Sequence, residues 1–211
     1  MKKFTYLSVS GIILIVVLLS VTIMSNRSSE KITAFNKSVA LGNTKDYKAA
    51  VDALLKLYPE NKNDYLFNLR LGWLYYNLGD YKTSVNYYNT AIELQKSSTE
   101  ALMGAVLPLA ALSQWNQIEQ NYLKILKLNP TDYYANLRLG QIYLNRMDYT
   151  RAESHLEKVY KNYPGEYEPN LSLGWTYYYL GKRAEAKKCF TNVLMLSEND
   201  SLGVKGLNLV N

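Results

Sequence analysis

An all-α solenoid of helix–turn–helix units, preceded by an N-terminal apolar helix, is the fold predicted for this chain of 211 residues. Three observations predict it. Leu71-Gly72-Trp73-Leu74-Tyr75-Tyr76-Asn77-Leu78-Gly79 returns as Leu173-Gly174-Trp175-Thr176-Tyr177-Tyr178-Tyr179-Leu180-Gly181, and Asn68-Leu69-Arg70-Leu71-Gly72 is repeated without change as Asn136 to Gly140. These echoes fall at multiples of 34 residues along the chain after residue 30. Within each period, apolar residues recur three and four positions apart, the spacing of one helix face. A fixed period of this length marks a solenoid, whose thin units bury their apolar faces only against their neighbours.

The first element, residues 1–27, is of a different kind. Lys2 and Lys3 precede an uncharged stretch from Phe4 to Met24, and Arg27, Glu30 and Lys31 close it. As a helix this stretch measures roughly 31 Å, about one hydrocarbon thickness. A retained transmembrane anchor and a cleaved signal peptide both fit, and the length favours the anchor. Either way the charge flanks direct the repeats to the extracytoplasmic side, as a single-pass membrane protein or as a secreted or periplasmic one. Removing residues 1–27 takes away three positive charges and no negative one, so the net charge of +6 shrinks to a weak, scattered excess. That is no footprint for nucleic acid. The single cysteine, Cys189, offers no disulfide framework, so stability must come from packing.

Residues 31–200 divide into five units: 31–64, which is degenerate, 65–98, 99–132, 133–166 and 167–200. In the second, Leu71, Tyr75 and Leu78 mark one amphipathic helix, and Val85, Tyr88, Ala91 and Ile92 mark the next. Gly79 and Gly181 stand between the paired helices, where a left-handed residue ends the first. Asp46, Asp80 and Asp148 stand where a side-chain oxygen caps the second. Gly72, Gly140 and Gly174 lie inside first helices, where glycine costs about 1 kcal/mol against alanine. Close approach of the paired helix is the expected benefit, with Ser84, Ala152 and Ala186 opposite. The third unit has Val106 in the glycine slot and Pro108 inside its first helix, which predicts a bend there. Residues 201–211, with Val204, Leu207 and Leu209, form a capping helix whose own N-cap is Asp200 or Ser201.

The unit resembles the tetratricopeptide repeat. Leu71, Gly72, Tyr75, Ser84, Tyr88 and Ala91 carry the resemblance in the second copy, and Leu139, Gly140, Tyr143, Ala152, Leu156 and Pro164 in the fourth. Leu173, Gly174, Tyr177, Ala186 and Phe190 carry it in the fifth, Tyr122 and Pro130 in the third, and Asp46, Tyr47, Ala50, Leu54 and Leu57 in the first. The resemblance implies a right-handed solenoid whose first helices line a concave groove that binds peptides. By the same resemblance the groove-facing residues include Arg70, Trp73, Tyr76 and Asn77 of the second copy. The fourth supplies Arg138, Gln141 and Asn145, and the fifth Trp175, Tyr178 and Tyr179.

Tryptophan, tyrosine and arginine dominate binding energy at protein interfaces. A non-catalytic scaffold for a protein or peptide partner is therefore the expected function. The alternative is a self-assembling homo-oligomeric module that pairs through array ends or the convex face, and glycan stacking on the aromatic rings is a third reading. No enzyme is expected and no cofactor is implied. His155 and Cys189 occupy equivalent slots of successive units, too far apart to act as a pair. His155 is expected at a surface or boundary, Cys189 as a small packing residue.

Overall fold

The computed structural model describes residues 9–211, with side chains from Met24 onward. Of the apolar run from Phe4 to Met24, which carries the anchor-or-signal expectation, all but Met24 falls outside the residues whose side chains are described. Among the described residues no helix is long and apolar enough to cross a membrane, and there is no strand. The chain divides into two compact units, Met1–Gln95 and Lys96–Asn211.

The first unit holds α1 (Val9–Asn43), α2 (Tyr47–Leu55), the short α3 (Tyr58–Asn61), α4 (Tyr65–Asn77) and α5 (Tyr81–Leu94). Its core is Ala50, Val51 and Leu54 of α2 against Phe67, Leu71 and Leu74 of α4, with Phe35 and Leu41 of α1 packed on them. The second unit holds α6 (Thr99–Gly104), α7 (Val106–Ala111), α8 (Trp115–Leu128), α9 (Tyr133–Asn145), α10 (Tyr149–Asn162), α11 (Tyr167–Tyr179), α12 (Arg183–Leu196) and α13 (Ser201–Val210). Each of these helices packs on its sequence neighbour, while α9 also meets α11 and α11 meets α13.

Helix starts keep the sequence period. Second helices begin at Tyr47, Tyr81, Trp115, Tyr149 and Arg183, and first helices at Tyr65, Thr99, Tyr133, Tyr167 and Ser201. Local chemistry sets these starts. The carboxylates of Asp46, Asp80 and Asp148 accept from the amides of Ala49, Thr83 and Arg151, as expected of N-caps. Asp64, Asp132 and Asp200 do the same for α4, α9 and α13. The turn before each second helix needs one left-handed residue. Gly79 and Gly181 supply it with φ of 80° and 76°, but Lys45, Ser113 and Met147 take the same conformation at 63°, 56° and 61°. A side chain there costs roughly 1 kcal/mol, so this turn is enforced by packing on either side.

The helical glycines admit the paired helix, although their neighbours differ from the expected small residues. A Cβ on Gly72 would lie 2.9 Å from the Tyr88 ring, one on Gly174 would lie 2.9 Å from the Phe190 ring, and one on Gly140 would overlap Leu156. Large side chains therefore fill the notches. Ser84 contributes instead a hydroxyl that donates to the Gly72 carbonyl at 2.7 Å. In the third repeat the first helix is broken at Ala105, between α6 and α7, three residues ahead of Pro108. Pro108 has no N–H to give the Gly104 carbonyl, so the hydrogen-bond run is interrupted here, while Ala105 keeps helical backbone angles.

Candidate functional site

In the first unit, Arg70, Trp73, Tyr76 and Asn77 lie along two turns of α4. Trp73 is 36% exposed. The Arg70 guanidinium lies over its ring at 4.4 Å, and Tyr47 meets it edge-on at 5.7 Å. Arg70 is not a free contact residue. Its Nη2 donates to the Ser38 carbonyl of α1 at 2.9 Å, and burial pulls its pKa below the usual arginine value. Its task is to fasten α4 to α1 and to brace Trp73. Tyr76 packs on Tyr81, ring centroids 5.8 Å apart, and Asn77 donates to the Trp73 carbonyl one turn earlier.

In the second unit a polar row links α9 to α11. Arg138 Nη1 donates to Gln141 Oε1 at 2.7 Å and pairs with Glu168 at 3.0 Å, while Gln141 Nε2 donates to Ser172 Oγ at 3.2 Å. Asn145 is exposed at the end of α9. Beyond the row lies an aromatic group. Tyr179 is 51% exposed and stacks on Tyr149 at 4.7 Å with 14° between the planes. Tyr178 and Trp175 flank it at 5.3 and 6.2 Å. Trp175 is held from behind by Phe190, at 5.1 Å, and by the capping helix α13, whose Lys205 Nζ lies 6.0 Å from its ring centre. Trp175 and Trp73 share a repeat slot but not a degree of freedom, because only Trp175 is clamped by a terminal helix. The structure thus brings Arg138 and Gln141 into one polar row, and Trp175, Tyr178 and Tyr179 into one aromatic group.

Sequence reasoning missed a set of fully buried amides. Asn68, Asn136 and Asn170 occupy one repeat slot, and each is wholly buried. Each Nδ2 donates twice, to the carbonyls six and four residues earlier: Lys62 and Asp64, Pro130 and Asp132, Pro164 and Glu166. Their oxygens accept from the Tyr58 hydroxyl, His155 Nδ1 and Asn192 Nδ2. The recurrence of asparagine in one slot was the available signal. His155 is half-buried and stacked on Tyr143 at 5.6 Å, a boundary position as expected. Cys189 is buried beside Gly174, and burial pushes its thiol up to about 12. A thiol so held is a packing group and a poor nucleophile. Among the described residues no group of three or more His, Cys, Asp or Glu side chains is arranged to hold a metal ion.

One tetratricopeptide repeat family model matches residues 67–98 and 167–200, and a second matches 121–154. No curated protein sequence matches the chain. Solved structures do. YrrB, described as a tetratricopeptide repeat protein with an unusual peptide-binding site, superposes with a TM-score of 0.72 at 18% identity, over 89% of this chain and 97% of its own. A tetratricopeptide repeat protein from Parabacteroides merdae gives 0.74 at 18% identity, over 86% and 72%. MamA from Desulfovibrio magneticus gives 0.69 at 20% identity, over 81% and 98%. At such identities the likeness establishes the fold, an α-solenoid. With the 34-residue spacing of helix starts, the glycine notches and both family matches in agreement, the chain belongs to the tetratricopeptide repeat family.

Proposed function

We propose that the protein is a non-catalytic scaffold that binds a protein or peptide partner through aromatic side chains on its first helices. The observation that carries this is the ring group on α11: Tyr179, half-exposed, stacked on Tyr149 and flanked by Trp175 and Tyr178. Rings fixed against one another lose little entropy when a partner covers them, which is the property of interface anchors. Trp73, braced by Arg70 and Tyr47, has the same property in the first unit. The structural likeness to YrrB, with its peptide-binding site, supports the same reading.

The polar row sharpens the expected partner. Arg138 is already neutralised by Glu168 and bound by Gln141, so an acidic peptide gains little from it. Apolar and aromatic anchors are the better match. Peptides selected from a random library on the intact chain provide the test, with affinities read by fluorescence anisotropy. Trp175→Ala with Tyr179→Ala, or Trp73→Ala with Tyr76→Ala, weakens the selected peptides at least about tenfold, or about 1.4 kcal/mol. Unchanged affinity in both double variants, with helical content retained, removes the proposal.

The proposed scaffold works outside the cytoplasm. The support is the apolar run from Phe4 to Met24 behind Lys2 and Lys3. Protease added to intact cells that express the chain digests the repeats if this holds; repeats that survive until the cells are lysed contradict it.

A further inference from the structure

We propose that the joint of α8, α9 and α10 is an acid-responsive element whose sensor is His155. The chain holds one histidine. It projects from α10, half-buried, with Nδ1 3.0 Å from Asn136 Oδ1. The Asn136 amide nitrogen is committed to the Pro130 and Asp132 carbonyls, so its oxygen faces the imidazole and accepts. Nδ1 therefore carries a proton, and the neutral ring is the Nδ1–H tautomer. Through this one bond α10 holds the turn between α8 and α9.

Half-burial and the absence, among the described residues, of a free carboxylate beside it disfavour a charge on the ring. His155 stacks on Tyr143 with 29° between the planes, and the Arg151 guanidinium also lies over Tyr143, at 4.3 Å. The charged groups that act on it from α10 are Lys158 and Arg151, and Arg151 is itself paired at 2.6 Å with Asp148, the N-cap of that helix. From α8 comes Glu119, already taken by the Tyr143 hydroxyl at 2.8 Å and by Arg146 of α9. From the turn comes Asp132, whose carboxylate caps the Ala135 amide at 2.9 Å. A proton on Nε2 leaves the Nδ1–H bond to Asn136 in place but puts a positive charge beside Lys158, in a half-buried place where Glu119, Asp132 and Asp148 are already matched.

The two sibling asparagines show what is particular here. Asn68 accepts from the Tyr58 hydroxyl and Asn170 from the Asn192 amide. Neither donor changes charge between about pH 5 and 8, and histidine does. Burial, with Lys158 and Arg151 adding to it, holds the imidazole pKa below its ordinary value. The unfolded chain then takes up the proton before the folded one as pH falls. The joint keeps its full stability above about pH 6.5 and loses it progressively from there down through the lower folded value.

This inference goes beyond the partner-binding reading and does not depend on it. Amide exchange of the full chain, compared between about pH 7.5 and 5 after correction for intrinsic rates, tests it. Residues 129–162 lose protection about threefold or more at the lower pH, residues 65–94 do not, and His155→Gln abolishes the loss. An equal loss in the variant, or no loss in the native chain, overturns the proposal. A nuclear magnetic resonance titration of the His155 ring in the unmodified protein keeps the test open if the variant fails to fold. A midpoint below about 6.5 supports the sensor, and one at or above it overturns it.

Discussion

Replacing Phe190 by alanine lowers the stability of the unit Lys96–Asn211 by about 3–5 kcal/mol and releases α13 from it. Phe190 is fully buried on α12 and sits between two backbones that approach it only because they carry glycine. A Cβ on Gly174 of α11 would lie 2.9 Å from the ring, and one on Gly206 of α13 would overlap it. The ring also packs against Trp175 and, with Val210 and Ala186, forms the cluster that seats α13. Alanine leaves a cavity walled by three helices, and glycine notches have no side chain to collapse into it. The milder Phe190→Leu costs about 1 kcal/mol, since Leu156 fills the corresponding notch of Gly140 in the preceding repeat. Urea unfolding gives the first quantity, and amide protection of residues 201–210 gives the second. Protection in α13 that survives Phe190→Ala would show that the cap is held by something other than this ring.

Particular residues show what the sequence could and could not disclose. The period, the aspartate caps, the left-handed Gly79 and Gly181, and the break ahead of Pro108 follow from local chemistry, and local chemistry is written in neighbouring letters. Arg70 is different. Along α4 alone it is an outward arginine next to a tryptophan, yet its guanidinium ends on Ser38, 32 residues earlier. Only the stacking of α4 on its neighbours decides that. The glycine notches fail in the same way. Ser84, Ala152 and Ala186 are small and near, so they look like the natural partners, but in space the residue four further on, Tyr88, Leu156 or Phe190, turns into the gap. Lys45, Ser113 and Met147 in left-handed turns have no glycine to announce them, although their period does. Trp73 and Trp175 are identical by letter and slot, yet Arg70 and Tyr47 brace the first while Phe190 and α13 clamp the second.

Asn170→Leu destabilises the second unit by about 1–3 kcal/mol, despite being a polar-to-apolar change of similar size in a fully buried place. On transfer terms alone leucine is the better core residue, by roughly 2 kcal/mol. The hydrogen bonds reverse the sign. Asn170 Nδ2 donates to the Pro164 carbonyl at 2.8 Å and the Glu166 carbonyl at 2.7 Å, and Oδ1 accepts from Asn192 at 2.9 Å. Leucine takes a donor from the Pro164 carbonyl and an acceptor from the Asn192 amide, while the Glu166 carbonyl keeps the Asn170 backbone amide and Asn192 keeps the Tyr160 hydroxyl. A polar group left unmatched costs about 1–3 kcal/mol when buried. The turn from α10 to α11 also loses the side chain that sets its path. The third repeat carries Leu102 in this slot, and there Asn121 of α8 donates to the Leu102 carbonyl itself at 3.3 Å, a different acceptor from those the asparagines serve. Chemical denaturation of Asn170→Leu and of Asn170→Ala separates the contributions: if lost hydrogen bonds dominate, the two variants fall by similar amounts, and leucine recovers little. A leucine variant as stable as the native chain would mean that these amides are incidental to the turn.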